Sequence, residues 1–296
     1  MKIVFSGASG LLGSALVPSL REAGHEVTRL VRREAQEADE VSWDPAAGSI
    51  DAGPLAGADA VVNLSGATIG RRWTESRKRE ILESRVASTA LLARTAAELD
   101  PCPGALVSAV GIGIYGNRGD EILTEESELG SGFLAEVARA QEAAAEPARD
   151  AGIRVVALRQ GIVLSRRGGA LQRMLTPFKL GLGGRVGSGQ QWWSWVALDD
   201  LVAAYRLALE SDLEGAYNLA SPNPATSAQF TKALGRALGR PTVFPLPAVA
   251  VRTLFGEMGE KTLLEGQRAL PARLLDAGFE FAYGDLDSAL ERALER

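Results

Sequence analysis

The chain has 296 residues, 46% of them apolar and 23% charged, with a formal net charge of −5. That balance excludes a disordered chain, leaves room for a sizeable core, and argues against a nucleic-acid partner, which calls for a basic face. No apolar run reaches the roughly 18 to 20 residues that span a bilayer, so no membrane association is expected.

Short apolar runs alternate with helical patterns through the first half, as in a parallel sheet with crossover helices. Residues 2–5 read as a buried strand that enters a glycine turn directly, unlike a signal peptide. A helix over 11–23 follows, closed by Gly24, and residues 26–31 form the second strand. Residues 41–43 suggest a short third strand and 58–64 a fourth. A long helix over 75–99 carries Ile81, Leu82, Val86, Leu91 and Leu92, and residues 105–109 give the fifth strand. An alanine-rich helix is predicted over 133–150, then a sixth strand over 154–158. Beyond Gly161 a glycine-dense loop over 181–189 runs into Trp192-Trp193-Ser194-Trp195. Asp199-Asp200 then opens a helix through 209, where carboxylates suit the N-cap and the helix dipole. The fold class expected is α/β: a Rossmann doubly wound parallel sheet with a smaller α+β C-terminal substrate-binding portion. Residues 1–164 form the dinucleotide domain, with 190–220 returning to it, and 165–189 plus 221–296 form the smaller part.

One cysteine, Cys102, leaves no internal disulfide and fits a reducing, cytoplasmic setting. One histidine, His25, sits at the turn after Gly24, so neither a histidine-rich metal site nor a Ser-His-Asp hydrolase is expected.

The turn Gly7-Ala8-Ser9-Gly10-Leu11-Leu12-Gly13 joins a strand to a helix, the context that makes a glycine triplet a phosphate cradle. Gly7 permits the turn, Gly10 lets backbone approach a pyrophosphate, and Gly13 packs helix on strand. The helix N-terminus offers free N–H groups to the phosphate. An NAD site usually places a carboxylate after the second strand for the ribose 2′-hydroxyl. This chain instead has Arg32 and Arg33 there, and guanidinium groups suit a 2′-phosphate, so NADP(H) is the cofactor expected. Four residues beyond Tyr115, Tyr205, Tyr217 and Tyr283 lie Gly119, Leu209, Ser221 and Asp287, so the Tyr-x-x-x-Lys pair of most such reductases is absent.

The Gly-x-x-Gly-x-x-Gly spacing, Asn63-Leu64-Ser65-Gly66-Ala67, Gly168-Gly169-Ala170, Met174-Leu175-Thr176-Pro177-Phe178 and Gly181-Leu182-Gly183-Gly184 occur in one order. They continue through Ala220-Ser221-Pro222-Asn223-Pro224, Leu264-Glu265-Gly266-Gln267 and Gly278-Phe279-Glu280-Phe281. In these motifs the chain resembles, nearly end to end, the epimerase-family proteins of the atypical extended short-chain dehydrogenase/reductase group, with their C-terminal domain of uncertain function. The resemblance implies an NADP(H)-binding Rossmann fold. It implies that Arg32 meets the adenosine phosphate, Leu64 and Ser65 line the groove, Glu80 and Arg85 reach the ribose and phosphates, and Val163 lies near the nicotinamide. Glu80 and Arg85 stand about 140° apart around a helix, flanking a groove rather than pairing. The chain departs from the family at Val110, Ile114 and Ala197, where a serine, a tyrosine and a histidine are common, which thins the candidates for proton transfer.

Ligands of doubly wound sheets sit at the carboxyl ends of the strands, where Ser108, Tyr115 and Arg159 fall. Tyr115 is the candidate proton donor, with Ser108 beside it and Arg159 to orient an anionic substrate. The leading expectation is an NADP(H)-dependent oxidoreductase or epimerase acting on a small carbonyl or hydroxyl compound. A non-catalytic NADP(H) sensor and a sugar-nucleotide epimerase stand as alternatives.

Overall fold

The computed structural model describes residues 1–295. Its centre is an eight-stranded sheet. In chain order the strands are β1 (Lys2–Ser6), β2 (Glu26–Val31), β3 (Glu40–Asp44), β4 (Ser49–Ile50), β5 (Ala60–Asn63) and β6 (Ala105–Gly111), followed by Arg154–Gln160 and Gly215–Leu219. From one edge the order is Gly215–Leu219, Arg154–Gln160, β6, β5, β1, β2, β3, β4. All neighbours are parallel except β3 and β4. The order reverses direction at β1, and at such a switch point the carboxyl ends open a crevice for ligand.

Helices α1 (Gly13–Glu22), α2 (Glu75–Ala97), α3 (Phe133–Ala143), α4 (Glu146–Asp150), α5 (Gly169–Lys179), α6 (Leu198–Glu210), α7 (Ser227–Leu238) and α8 (Ala248–Gly259) follow in chain order. Leu16, Val17 and Leu20 of α1 and Leu201, Ala204 and Tyr205 of α6 pack on Ile3, Phe5, Val62 and Val107 on one face of the sheet. Leu91, Leu92 and Ala96 of α2 and Ala148 of α4 pack on Val4, Val61 and Leu106 on the other. The period-2 alternation of the strands therefore serves two faces, both apolar, as parallel sheets require. Each fully buried leucine contributes about 1.5 to 3 kcal/mol.

A second core joins Leu171, Leu175 and Phe178 of α5 to Phe230 and Leu234 of α7, Val251 of α8 and Leu290 near the C-terminus, with Trp193 and Trp195 between them. The tryptophan run thus divides: Trp193 and Trp195 are core, whereas Trp192 is half-buried beneath the Arg268 guanidinium, 4.3 Å from its ring. Short strand pairs, Ile162–Leu164 with Trp195–Ala197 and Trp192–Trp193 with Ala225–Thr226, tie this part to the main sheet.

Two local expectations are corrected. The helix expected over 133–150 breaks at Ala144–Ala145, with Pro147 in the first turn of the second segment. Proline lacks the N–H that would have continued the first ladder. Asp199 and Asp200 do not cap α6, whose N-cap is Ala197 with no side-chain bond. Asp200 instead accepts the backbone N–H groups of Ala282 and Tyr283, at 2.8 and 3.1 Å, and Asp199 pairs with Arg292. A carboxylate at a helix start goes to whichever orphan donors the tertiary packing brings nearest.

Candidate cofactor and active site

The glycine turn follows β1 at the switch point. Gly7 has φ +80°, and a Cβ there would lie 2.8 Å from the Leu64 backbone, so only glycine lets the turn rest against the end of β5. At Gly13 a Cβ would stand 2.4 Å from the Gly7 carbonyl, so its bareness is also demanded from within. Gly10 differs. It is exposed, and a Cβ there would meet only the Gly7 carbonyl, at 3.3 Å. Of the three glycines, Gly10 is the one at which the fold itself asks least for bareness: a Cβ would press on a single carbonyl, and the space beyond it is open. Gly10 N–H is bonded to Gly7 O, and α1 begins with no side-chain cap and no acidic residue in its first turn. Ser14 and Ala15 N–H are taken up by Gly10 O and Leu12 O, which leaves the N–H groups of Leu11, Leu12 and Gly13 without an acceptor among the described residues and available to an anion.

Around this turn the fold gathers several of the residues singled out above. Leu12, Leu64 and Val163, all half-buried, pack against the same core beneath it. Ser9 is exposed beside Gly10. Leu11 carries the turn to the start of α5: a Cβ on Gly168 would lie 3.3 Å from Leu11 Cδ1. Ser65 N–H donates to Asn63 Oδ1 at 3.1 Å, and Asn63 is itself held by Ser6 Oγ at 2.8 Å and Thr89 Oγ1 at 2.9 Å. Asn63 is thus the buried anchor of the groove wall. Its position as a polar residue closing an apolar strand is the signal that marks it.

The two arginines after β2 have separate fates. Arg33 makes a bidentate pair with Glu40, at 2.6 and 2.8 Å, and that carboxylate also accepts the Gln36 N–H. Arg33 and these backbone donors hold Glu40 at about 2. Arg32 is exposed, with no partner among the described residues, so one guanidinium rather than two is available to a 2′-phosphate.

On α2, Glu80 is exposed and paired with Arg77. Arg85 is half-buried and donates only to backbone carbonyls, Ala67 O at 3.0 Å and Ile81 O at 3.1 Å. Burial, with the Arg77 charge, pushes it down to about 10. A guanidinium so placed has no carboxylate to neutralise it, which suits it to a phosphate.

Tyr115 and Arg159 come together, but in the interior. Arg159 lies in the strand Arg154–Gln160 on the face covered by α3, where Glu142 grips it bidentately at 2.8 and 2.9 Å. Arg159 Nη1 donates to the Tyr115 hydroxyl at 2.9 Å, and that hydroxyl donates to Asn218 Oδ1 at 2.8 Å. Tyr115 is 0% exposed, and burial raises its pKa despite the adjacent cation. Burial alone would lower Arg159, but the Glu142 contacts outweigh it and the net shift is upward. Each group is a partner of the other inside the protein, so in this structure neither offers a free polar atom to the crevice. Ser108 is different: it is 4% exposed, neighbours Asn63 in the sheet, and its Oγ has no partner.

Residues 3–220 match the NAD dependent epimerase/dehydratase family, and residues 246–293 match a domain of unknown function. An epimerase family protein of Mycobacterium bovis is 44% identical, the match covering 99% of this chain and 98% of that protein. The human epimerase family protein SDR39U1, solved with NADPH, superposes with a TM-score of 0.91 at 36% identity, over 100% of both chains. A nucleoside-diphosphate sugar epimerase from Corynebacterium glutamicum has a TM-score of 0.82 at 39% identity, over 99% of this chain and 57% of that one. With its glycine turn, its switch-point sheet and a match that takes in the eight-stranded sheet over residues 3–220, the chain belongs to the NAD dependent epimerase/dehydratase family.

Proposed function

We propose that the protein binds NADP(H) in the crevice between the glycine turn and residues Leu64, Ser65 and Val163, and acts on a small carbonyl or hydroxyl compound in the cytoplasm. The observation that carries this reading is the bare, exposed Gly10, where a side chain would meet nothing in the chain but the Gly7 carbonyl, at 3.3 Å, and would fill the open crevice. The unpartnered Arg32 supports the phosphorylated cofactor over NAD(H), and the NADPH in the human relative is consistent with it. When bound, the nicotinamide supplies or accepts the hydride. The chain orients it by the Asn63-anchored wall and holds the phosphates on the α1 amides, Arg32 and Arg85, with Glu80 reaching the ribose. Ser108 is the one member of the candidate catalytic trio whose polar atom, though buried, has no hydrogen-bond partner among the described residues.

Calorimetry tests the reading: NADPH should bind the native protein and bind Gly10→Val far more weakly, while NADH should bind more weakly than NADPH. Absence of NADPH and NADP+ binding at millimolar concentration to folded protein would overturn it. A second reading, a sensor that holds NADP(H) without turnover, is favoured by one observation: Tyr115 and Arg159 are locked away and no Tyr-x-x-x-Lys pair replaces them. Screening NADPH oxidation against a carbonyl library separates the two readings, because a sensor binds tightly and turns over nothing.

A further inference from the structure

Beyond the glycine turn lies a second concentration of positive charge. The loop after β5, residues 64–73, is ringed by guanidinium groups from three directions. Arg85 donates to Ala67 O, Arg77 to Thr68 O at 2.5 Å, and Arg173 of α5 to Gly70 O. The Arg173 group lies so close that a Cβ on Gly70 would be 2.9 Å from its Nη1. Arg72, within the loop, reaches α8 through Thr253 O at 3.4 Å. Among the described residues the only carboxylate paired with any of these four arginines is Glu80, on Arg77. Arg77 Nε is moreover buried with no partner at all. Four cations that donate to carbonyls, with one carboxylate among them, leave a net positive site in a chain of net charge −5.

Its place in the fold says what that site faces. The loop starts at the carboxyl end of β5, where ligands of such sheets bind. Helix α5 starts at Gly169, a Cβ on which would be 3.4 Å from Leu11 of the glycine turn. Arg173 is four residues further on, roughly 6 Å along the helix. Arg173 therefore stands beside the cofactor crevice, and Arg77 and Arg72 join it through the same loop, Arg72 on the side of α8.

We propose that Arg173, Arg72 and Arg77 seat an oxyanion of the substrate, a phosphate or a carboxylate, next to the cofactor. The assignment rests on the NADP(H) reading, which gives the glycine turn, Arg32 and Arg85 to the cofactor and leaves these three to its partner in the reaction. Glu80, on turning to the ribose, would release Arg77. An oxyanion displaces the Gly70 and Thr253 carbonyls because its charge-assisted bonds are roughly twice as strong as those to a neutral acceptor.

The test is a melting-temperature titration of NADPH-saturated protein at fixed ionic strength, with chloride replaced stepwise by inorganic phosphate or by malonate. Wild type should respond saturably to one of the two, which tells phosphate from carboxylate. The half-point should rise about tenfold or more in Arg173→Gln and in Arg72→Gln, rise less in Arg173→Lys, and stay unchanged in Lys179→Gln at the far end of the same helix. An unsaturating rise, equal in wild type and variants, is the general effect of excluded salts and overturns the proposal. If NADPH does not bind, the cofactor reading fails by itself and the same titration is run on the unliganded protein. A phosphate response then lost in Gly10→Val but kept in Arg173→Gln places the anion on the glycine turn and overturns the seat; the reverse pattern supports it.

Discussion

The turn after β1 and the cluster under the far end of the sheet hold the same kinds of groups, yet one faces outward and the other is sealed. At the turn, Gly10 leaves space that nothing in the chain fills, and Arg32 has no partner among the described residues. Under β6 and the strand Arg154–Gln160, the polar atoms of Tyr115, Arg159, Glu142 and Asn218 satisfy one another. A residue's position at the carboxyl end of a strand does not make it available. What decides is whether a helix, here α3 with Glu142, arrives first.

Substitutions can break or sharpen that contrast. The largest effect is expected from Arg159→Leu, which removes the buried partner of the half-buried Glu142 carboxylate. Removing one partner of a buried pair costs about 3 to 5 kcal/mol, and denaturant unfolding should show it. At the turn the opposite pattern is expected. Gly10→Val should weaken NADPH binding by about 100-fold or more, about 2.7 kcal/mol, with the melting temperature nearly unchanged. A similar fall in both quantities would mean that Gly10 is structural after all. Tyr115→Phe should lower stability by about 1 to 3 kcal/mol, because Arg159 and Asn218 each lose a hydrogen-bond partner, while NADPH affinity stays level. Any selective loss of turnover in that variant would return Tyr115 to the active site.

Arg32→Gln should reduce NADPH affinity about tenfold, some 1.4 kcal/mol, and leave NADH affinity untouched, since only the 2′-phosphate contact is removed. The smallest effect concerns acid. Asp39 is held at about 2, by Arg29 first and then Arg21, and Glu40 at about 2 by Arg33. Carboxylates depressed in the fold stabilise it above their ordinary pKa, near 4, and that contribution is lost as pH falls toward 2. Arg33→Ala should therefore be less stable than wild type at pH 7, and the gap should close between about pH 4 and 2 in denaturant titrations.

Much of the sheet was legible because it depends on local rules. Apolar runs bounded by glycine marked β1, β2, β5 and β6, and the strand-turn-helix context of Gly7, Gly10 and Gly13 marked the crevice. The edge was less legible: residues 41–43 understated β3, which spans Glu40–Asp44 and pairs with the two-residue β4. An edge strand buried on few sides carries little apolar pattern.

The sequence by itself determined the Rossmann scaffold, the place of the cofactor turn and the absence of the usual proton-donating dyad, because backbone geometry and residue spacing are properties of neighbours along the chain. Only the tertiary structure decided which polar groups are free. Arg33 goes to Glu40 and Arg32 does not; Tyr115 and Arg159 close on each other and Ser108 stays unpaired; Arg173 crosses from α5 to Gly70. Each of these outcomes follows from partners distant in sequence competing for the same donors and acceptors, a contest that the order of residues alone does not contain.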